Sequence, residues 1–275
     1  MVAALQESRI LGYRLKDFTI TDYAFCSRKI RKRLKLAVIA DLHECVFGED
    51  NEPLIRALRE ARPEKIVIAG DLIVGSLQGD CGKMMGLLKT LSRDFEILYC
   101  IGNHERKILQ RQMYGTQRKK FLTGLRELGL GLLSNKSMVL GESNVRLTGL
   151  DISLKYYRKV FPKRMSEGYI EGRTGPCDGR YFSLLVAHNP VFFKRYCEWG
   201  ADLVVSGHIH GGIVRLPGFG GMIYPYLIPF PRYDAGVYRK GHTRMVVSRG
   251  LGSHSLNLRL FNKPELIILD LIPKL

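Results

Sequence analysis

With 275 residues, 45% of them hydrophobic and 25% charged, the chain has the composition of a globular protein and the length of one large domain or two small ones. No apolar run approaches the roughly 20 residues needed to cross a bilayer, and the segment Met1–Ile20 lacks the pattern of a signal peptide. We therefore expect a cytoplasmic protein, either free or bound peripherally to a membrane. The formal net charge of +17 indicates attraction to anions such as nucleic acid, lipid headgroups or phosphorylated small molecules.

The amino-terminal part of the chain is predicted to lead into the main sheet. Residues 9–21 alternate well enough to predict one strand at a sheet edge. The basic run at residues 28–33 is interpreted either as a solvated turn before the first core strand or as a patch for phosphates or anionic lipid. Since no linker is recognisable, we expect a single domain over residues 1–275, with its core at residues 35–275 and the strand and basic segment at residues 9–34.

Alternating strands and helices follow, and their order predicts a parallel sheet. Apolar runs at residues 35–40, 65–69 and 95–101 have the pattern of buried strands. Between them, apolar stripes at helical spacing predict one helix that begins after an Asn51 N-cap and a second helix around Met84–Leu91. The order β-α-β-α-β makes the three strands parallel.

Polar residues that follow the predicted strands are expected to meet at one edge of the sheet, because ligands of open α/β sheets bind beyond the carboxyl ends of the strands. After the first three strands these residues are Asp41, His43, Asp71, Asn103 and His104. Two later buried strands, at residues 182–187 and 202–206, deliver three more histidines. These are His188, His208 and His210.

The remaining predicted elements carry less chemical information. One long basic helix is expected from residue 105 to residue 128, and residues 155–180 are interpreted either as a surface helix and loop or as a cap or membrane-facing edge near the site. Further strands are predicted at residues 137–140 and 145–150, and in a β-rich tail within residues 212–217, 244–249 and 266–271.

Seven of the polar residues form a set of nitrogen and oxygen ligands, namely Asp41, His43, Asp71, Asn103, His188, His208 and His210. This set is too rich for one four-coordinate structural zinc site and suits two metal ions that share one carboxylate. Because thiolates are absent from it, the metals should be of the Mn, Fe or Zn type. Two ions about 3.5–4 Å apart clamp a phosphoryl group for in-line displacement and lower the pKa of a shared water. A cationic imidazole of His104 would then stabilise charge on the pentavalent state or protonate the leaving oxygen.

The order of these motifs resembles that of a known family. Asp-x-His, Gly-Asp, Gly-Asn-His-Glu, His and Gly-His-x-His follow one another from Asp41 to His210, as in the calcineurin-like metallophosphoesterase superfamily, and the surroundings are similar to a bacterial branch of small phosphohydrolases. The resemblance implies a four-layer α/β/β/α sandwich. It also implies that one metal is held by Asp41, His43, Asp71 and His210, and the other by Asp71, Asn103, His188 and His208. In this scheme Asp71 bridges the two metals, and His104 has the acid or phosphate-stabilising role.

Two details refine the expected activity. The Gly70-Asp71 motif is not followed by the Asp-Arg-Gly of family protein phosphatases, which counts against a protein phosphatase. Arg249 is interpreted either as a substrate contact or as a member of a salt bridge. We therefore expect a metal-dependent phosphoesterase that hydrolyses a phosphodiester or pyrophosphate bond by attack of a metal-bound hydroxide.

The expected substrate is a phosphorylated small molecule or a lipid-like compound, amphiphilic or nucleotide-linked. We expect the protein to contact an anionic membrane peripherally, and we expect no obligate protein partner. The two divalent ions are expected to be manganese, with zinc or iron as alternatives. Two other functions stay open. One is a nuclease or nucleotide phosphodiesterase of the same superfamily, since phosphate contacts dominate nucleic-acid affinity. The other is a metal-binding scaffold without catalysis.

Overall fold

The computed structural model describes residues 17–76, 81–158, 163–212, 214–216, 220–221, 231–252 and 259–274. Its strands are β1 (Thr19–Ser27), β2 (Leu34–Ile39), β3 (Lys65–Ala69), β4 (Glu96–Cys100), β5 (Lys136–Val139), β6 (Val145–Leu150), β7 (Phe182–Ala187), β8 (Leu203–Ser206), β9 (Arg215–Leu216), β10 (Gly220–Gly221), β11 (Gly236–Lys240), β12 (Thr243–Val247) and β13 (Glu265–Pro273). Its α-helices are α1 (Glu52–Ala61), α2 (Gly82–Leu91), α3 (Asn103–Gln110), α4 (Gly115–Glu127), α5 (Glu171–Thr174) and α6 (Phe193–Trp199). None of the helices in these ranges has the length and apolar character to span a bilayer.

Two larger sheets contain most of the strands. The first has the order β1-β13-β2-β3-β4, and the second has the order β11-β12-β8-β7-β6-β5. Strands β2, β3 and β4 are parallel to one another, which confirms the parallel arrangement predicted from the sequence, whereas β13 is antiparallel to β2. In the second sheet β6, β7, β8 and β12 are likewise parallel. The carboxyl ends of β2, β3 and β4 therefore share one edge of their sheet, as do those of β7 and β8.

Three hydrophobic cores separate four layers. Because side chains alternate along a strand, β2 places Leu36 and Val38 in the core between the two sheets, and Ala37 and Ile39 in the core under α1 and α2. A third core lies between the second sheet and α6. Each fully buried leucine or isoleucine contributes about 1.5–3 kcal/mol. The layers follow the order α/β/β/α, as the resemblance implied.

The amino-terminal segment agrees in part with its prediction. β1 is an edge strand as expected, but it extends to Ser27, and the predicted strand residues 9–16 lie outside the described residues. The basic run lies in the connection between β1 and β2 and makes ion pairs with both sheets. Lys29 Nζ lies 2.9 Å from Asp202, which directly precedes β8 of the second sheet, and Arg33 pairs with Asp270 in the first sheet.

Two helical predictions differ from the structure. The single helix expected over residues 105–128 is wrong, because α3 ends before Arg111, whose backbone is extended, and α4 begins at Gly115 after a 3₁₀ turn. The basic residues on both sides of the break suit a helix, so the sequence did not reveal it. Asn51 does precede α1, but its side chain accepts a hydrogen bond from Phe47 N and does not cap the helix. Pro53 at the second helical position has no N–H to donate to such a cap.

The tail contains a hairpin that the sequence analysis missed. β11 pairs antiparallel with β12, so β11 is the edge strand of the second sheet. β12 and β13 were expected from their apolar runs and are present. β11 has a polar, half-exposed pattern and gave no strong strand signal.

Candidate metal centre

The eight polar residues singled out from the sequence converge at one end of the two sheets. Asp41 and His43 follow β2, Asp71 follows β3, and Asn103 and His104 open α3 directly after β4. From the second sheet, His188 follows β7, while His208 and His210 follow β8. Seven of the eight are buried, and His210 is partly buried. The structure therefore brings together residues that are up to 169 positions apart in the chain.

The first group of ligand atoms comes from Asp41, His43 and His210, and these atoms all lie within 4.8 Å of one another. The Nε2 atoms of His43 and His210 are 3.1 Å apart, and they lie 3.7 and 3.6 Å from Asp41 Oδ1. Nitrogen atoms that face each other this closely beside a carboxylate have the arrangement of ligands around a cation.

The second group comes from Asp71, His188 and His208, under the same 4.8 Å limit. His188 Nε2 lies 3.0 Å from Asp71 Oδ2 and 3.5 Å from Asp41 Oδ1, so the two groups adjoin. Within the described residues, the buried Asn103 Oδ1 has no hydrogen-bond partner. A buried carbonyl oxygen without a donor is costly unless a ligand satisfies it, which fits a metal ion.

Backbone carbonyls orient two of the histidines. His188 Nδ1 lies 2.8 Å from Ala69 O, and His210 Nδ1 lies 3.2 Å from Gly252 O. A carbonyl accepts from Nδ1–H and leaves the Nε2 lone pair available to a metal, which is the usual arrangement of a ligating histidine. The donor atoms and their supports therefore fit divalent ions that prefer nitrogen and oxygen.

Strained backbone is concentrated in the loops of the site. Five candidate ligands have positive φ, namely Asp41 (50°), His43 (48°), Asp71 (53°), His208 (70°) and His210 (54°). Such conformations cost of order 1–3 kcal/mol each and persist where neighbouring contacts hold them. Here the loops hold one another, since His43 N donates to Asp71 O (3.1 Å) and His208 N donates to Asp41 Oδ2 (2.9 Å).

Two glycines allow the loops to approach the carboxylates. A methyl group at Gly102 would lie 2.7 Å from Asp71 N and 2.8 Å from Asp71 Cγ, and nearer still to Oδ1. A methyl group at Gly207 would overlap Asp41 Oδ2 and lie 3.2 Å from Asp41 Cγ. Any larger residue at either position would displace a candidate ligand.

Glu105 ties the loop after β3 to the loop after β4, a role that the sequence analysis missed. Its buried carboxylate accepts from Asp71 N (2.9 Å), Leu72 N (2.8 Å) and Gly102 N (2.9 Å). Tyr99 also donates its hydroxyl to this carboxylate (3.1 Å). A glutamate three residues after the N-cap commonly accepts from the N-cap amide, so the position of Glu105 in the motif could have indicated part of this role.

Arg259 supports the first group of ligands, and Arg249 lies beside it. Arg259 is buried, and its Nη2 lies 3.3 Å from His210 Nδ1 and donates to Gly252 O and to Arg249 O, the latter at 2.8 Å. No motif pointed to Arg259, because it lies in the irregular tail. Arg249 pairs with Glu265 (3.1 Å), so the salt-bridge interpretation of Arg249 agrees with the structure.

The electrostatics of the candidate ligands favour a bound cation. Burial raises the pKa of Asp41 to about 7. Burial alone would lower the pKa of His188, but the carboxylates of Asp71 and Asp41 raise it to about 10. For Asp71 the two effects are reversed. Burial alone would raise its pKa, but the His188 imidazolium holds that pKa well below its usual range. Burial lowers the pKa of His208 to about 3. Protons on the site thus compensate negative charge that a metal ion would otherwise compensate.

His104 lies at the first group of ligands and has a defined tautomer. Its ring meets the His43 ring edge-on, with centroids 5.0 Å apart. Gly75 N donates to His104 Nδ1 at 3.0 Å. Since a backbone N–H can only donate, Nδ1 carries the lone pair, and the proton of the neutral imidazole is on Nε2.

Comparison with known proteins agrees with this geometry. The model of the family described as "Calcineurin-like phosphoesterase" matches residues 34–212, a range that includes all eight candidate residues. The chain is 29% identical to the uncharacterized metallophosphoesterase YkuE of Bacillus subtilis over 86% of this chain and 78% of that protein. It is 27% identical to the phosphodiesterase YaeI of Escherichia coli, over 86% and 82% of the two chains. A more distant relative, at 23% identity over 86% and 83%, is the UDP-2,3-diacylglucosamine pyrophosphatase LpxG of Chlamydia muridarum.

Proposed function

The chain belongs to the calcineurin-like phosphoesterase family and is a phosphoric ester hydrolase, and we propose that it cleaves a phosphodiester or pyrophosphate bond with two divalent metal ions. The observation that carries this proposal is that the first and second groups of nitrogen and oxygen ligands adjoin each other, with a third, overlapping group of His43, Asp71 and His104 between them. A single ion would leave one of the two groups unused. The buried, unpartnered Asn103 Oδ1, noted among the described residues, supports the same conclusion.

We assign the ligands in two sets that share Asp71. Asp41, His43, Asp71 and His210 would hold one ion, and Asp71, Asn103, His188 and His208 would hold the other. Manganese is the proposed metal, with zinc or iron as alternatives that the donor atoms also suit. When bound, such a pair supplies Lewis acidity that lowers the pKa of a water molecule and neutralises charge on phosphoryl oxygens.

His104 is proposed to stabilise the phosphoryl group through Nε2–H. The sequence left this role and that of a proton donor to the leaving oxygen open. A cationic imidazole needs a proton on Nδ1, where Gly75 N already donates. That hydrogen bond favours the neutral ring, whose Nε2–H is a hydrogen-bond donor and a weak acid. Hydrogen bonds aimed at charge that develops in the transition state are among the largest catalytic contributions.

The proposed substrate carries a phosphodiester or pyrophosphate on an amphiphilic or nucleotide-linked group. Two relatives support this class by name, since YaeI is a phosphodiesterase and LpxG is a UDP-2,3-diacylglucosamine pyrophosphatase. The net charge of +17 favours an anionic substrate or surface. The absence of an Asp-Arg-Gly motif after Asp71 argues against a protein phosphatase.

We further propose that the rim of the site touches an anionic membrane. Lys155, within the 3₁₀ turn Leu154–Tyr157, and Arg158, directly after it, are exposed next to the candidate ligands. Lys159 of the same basic stretch lies outside the described residues. Reversing the charges of Lys155 and Arg158 should weaken cosedimentation with vesicles that contain phosphatidylglycerol. The control reverses Arg62 and Lys89, which are exposed at the carboxyl-terminal ends of α1 and α2. These two residues precede the amino-terminal ends of β3 and β4, at the opposite edge of the sheet from the ligand loops. Equal binding of both variants would refute membrane contact through this rim.

Hydrolysis after metal removal tests the proposed function. Metal-stripped protein should not hydrolyse bis(p-nitrophenyl) phosphate, and Mn²⁺, Zn²⁺ or Fe²⁺ should restore turnover of this diester in preference to p-nitrophenyl phosphate. The Asp71→Ala variant should stay inactive with every metal, because it lacks the shared ligand. If the folded wild-type protein bound two ions per chain and cleaved neither ester, the metal-binding scaffold would become the better interpretation.

A further inference from the structure

Tyr157 brings a phenol against the second group of ligands, and nothing in the proposed function uses it. Its ring meets the ring of His208 edge-on, with centroids 4.9 Å apart and planes at 77°, and it lies 6.3 Å from the ring of His188. The side chain is partly buried. Within the part of the chain that the structure describes, the Tyr157 hydroxyl makes no hydrogen bond. The phenol is therefore a donor without an acceptor beside a candidate metal site.

The segment that presents Tyr157 is held firmly by other residues. Tyr157 ends the 3₁₀ turn Leu154–Tyr157, and the preceding Tyr156 is buried in the third core. The Tyr156 ring packs edge-on against Tyr169 (5.0 Å) and Phe192 (5.4 Å). Asn189, next to His188, donates its side-chain amide to Tyr156 O (3.4 Å). Since these contacts fix the turn without the Tyr157 hydroxyl, phenylalanine would satisfy packing equally well at this position.

We propose that the Tyr157 O–H donates a hydrogen bond to a non-bridging oxygen of the substrate phosphoryl group. This inference rests on the proposed function, because it needs the phosphoryl group to lie between the two groups of ligands. His104 contacts His43 in the first group, and Tyr157 contacts His208 in the second. A phosphoryl group that spans both groups is then met by one neutral donor at each end. Tyr157 is a catalytic residue in this arrangement, because it touches the substrate.

The Tyr157→Phe variant tests the donor directly. It removes one oxygen atom and keeps the ring against His208. Because a hydrogen bond to a charged group is lost, kcat/KM for bis(p-nitrophenyl) phosphate should fall about ten- to hundredfold. The matched control is Tyr156→Phe, which removes the same atom one residue earlier, where the ring faces the core. The control should keep wild-type activity.

A binding measurement separates this inference from the proposed function. Titration of the manganese-loaded protein with inorganic phosphate should show an affinity about tenfold weaker for Tyr157→Phe than for wild type or Tyr156→Phe. If wild type bound phosphate about tenfold more tightly than Tyr157→Phe but cleaved no ester, the proposed function would fail, whereas the donor role of Tyr157 would stand. Wild-type phosphate binding and wild-type turnover in Tyr157→Phe would overturn the inference. The inference would also be overturned if Tyr157→Phe bound less metal or had a lower melting temperature, and its loss of activity were in proportion to that change. Tyr157 would then be a structural residue.

Discussion

Substitution of Gly102 by alanine should damage the metal centre through a single methyl group. The Gly102 backbone is extended (φ −101°), so alanine fits its dihedral angles and the effect is steric alone. The new carbon would lie 2.8 Å from Asp71 Cγ, whereas non-bonded carbons prefer roughly 3.5–4.0 Å. The Asp71 carboxylate must therefore move by roughly 1 Å to reach ordinary contact. It is held by His104 N at 2.7 Å and by His188, so it cannot move without disturbing both groups of ligands.

The consequence should be visible in metal content and in activity. Overpacking of this kind costs about 1–3 kcal/mol of unfolding free energy, and a displacement of about 1 Å at a reacting centre costs roughly a hundredfold in rate. Metal analysis after loading, turnover of bis(p-nitrophenyl) phosphate and urea unfolding measure the three effects. Gly86→Ala is the matched control, because Gly86 lies inside α2 with nothing within 4 Å of the added methyl. It should gain about 0.5–1 kcal/mol as a helical alanine. A Gly102→Ala protein with two ions and wild-type turnover would refute the reasoning.

Three further predictions concern protons, a buried ion pair and the support of His210's loop. Manganese binding at pH 7 should release protons, because the raised pKa values of Asp41 (about 7) and His188 (about 10) keep protons on the metal-free site. Affinity should accordingly fall as the pH falls below 7, and calorimetric heats that do not depend on buffer ionisation would contradict this. Asp151→Asn should lower the free energy of unfolding in urea by about 3–5 kcal/mol, since it leaves the buried Arg106 without its carboxylate partner; a loss below about 1 kcal/mol would show that the pair is not needed. Arg259→Gln should weaken manganese binding about 10–100-fold by releasing the carbonyls behind the first group of ligands, and wild-type affinity would exclude that role.

The sequence predicted those strands whose apolar runs end sharply. The predicted ranges 65–69, 145–150 and 182–187 coincide with β3, β6 and β7. Their termini are marked by charged, polar or glycine residues, and burial on both faces requires an uninterrupted apolar run. The convergence of the candidate ligands was also predictable, because parallel strands place their carboxyl ends together.

Residues that act through long-range contacts could not be predicted in the same way. Arg259 reaches its position only when the tail folds back beside the loop after β8. Tyr157 lies in a stretch that sequence analysis placed near the site in one of two interpretations, but its contact with His208 depends on how the 3₁₀ turn packs on the third core. Helical periodicity likewise carried no sign of the extended backbone at Arg111, since exposed charged residues suit a helix and a turn equally.

Anomalous diffraction from crystals loaded with manganese would test the central claim most directly. Two peaks are predicted, separated by about 3.5–4 Å. One should lie among Asp41, His43 and His210, and the other among Asn103, His188 and His208, with an oxygen of Asp71 at bonding distance from both. A single peak, or two peaks that do not share Asp71, would contradict the dinuclear centre on which the proposed hydrolysis depends.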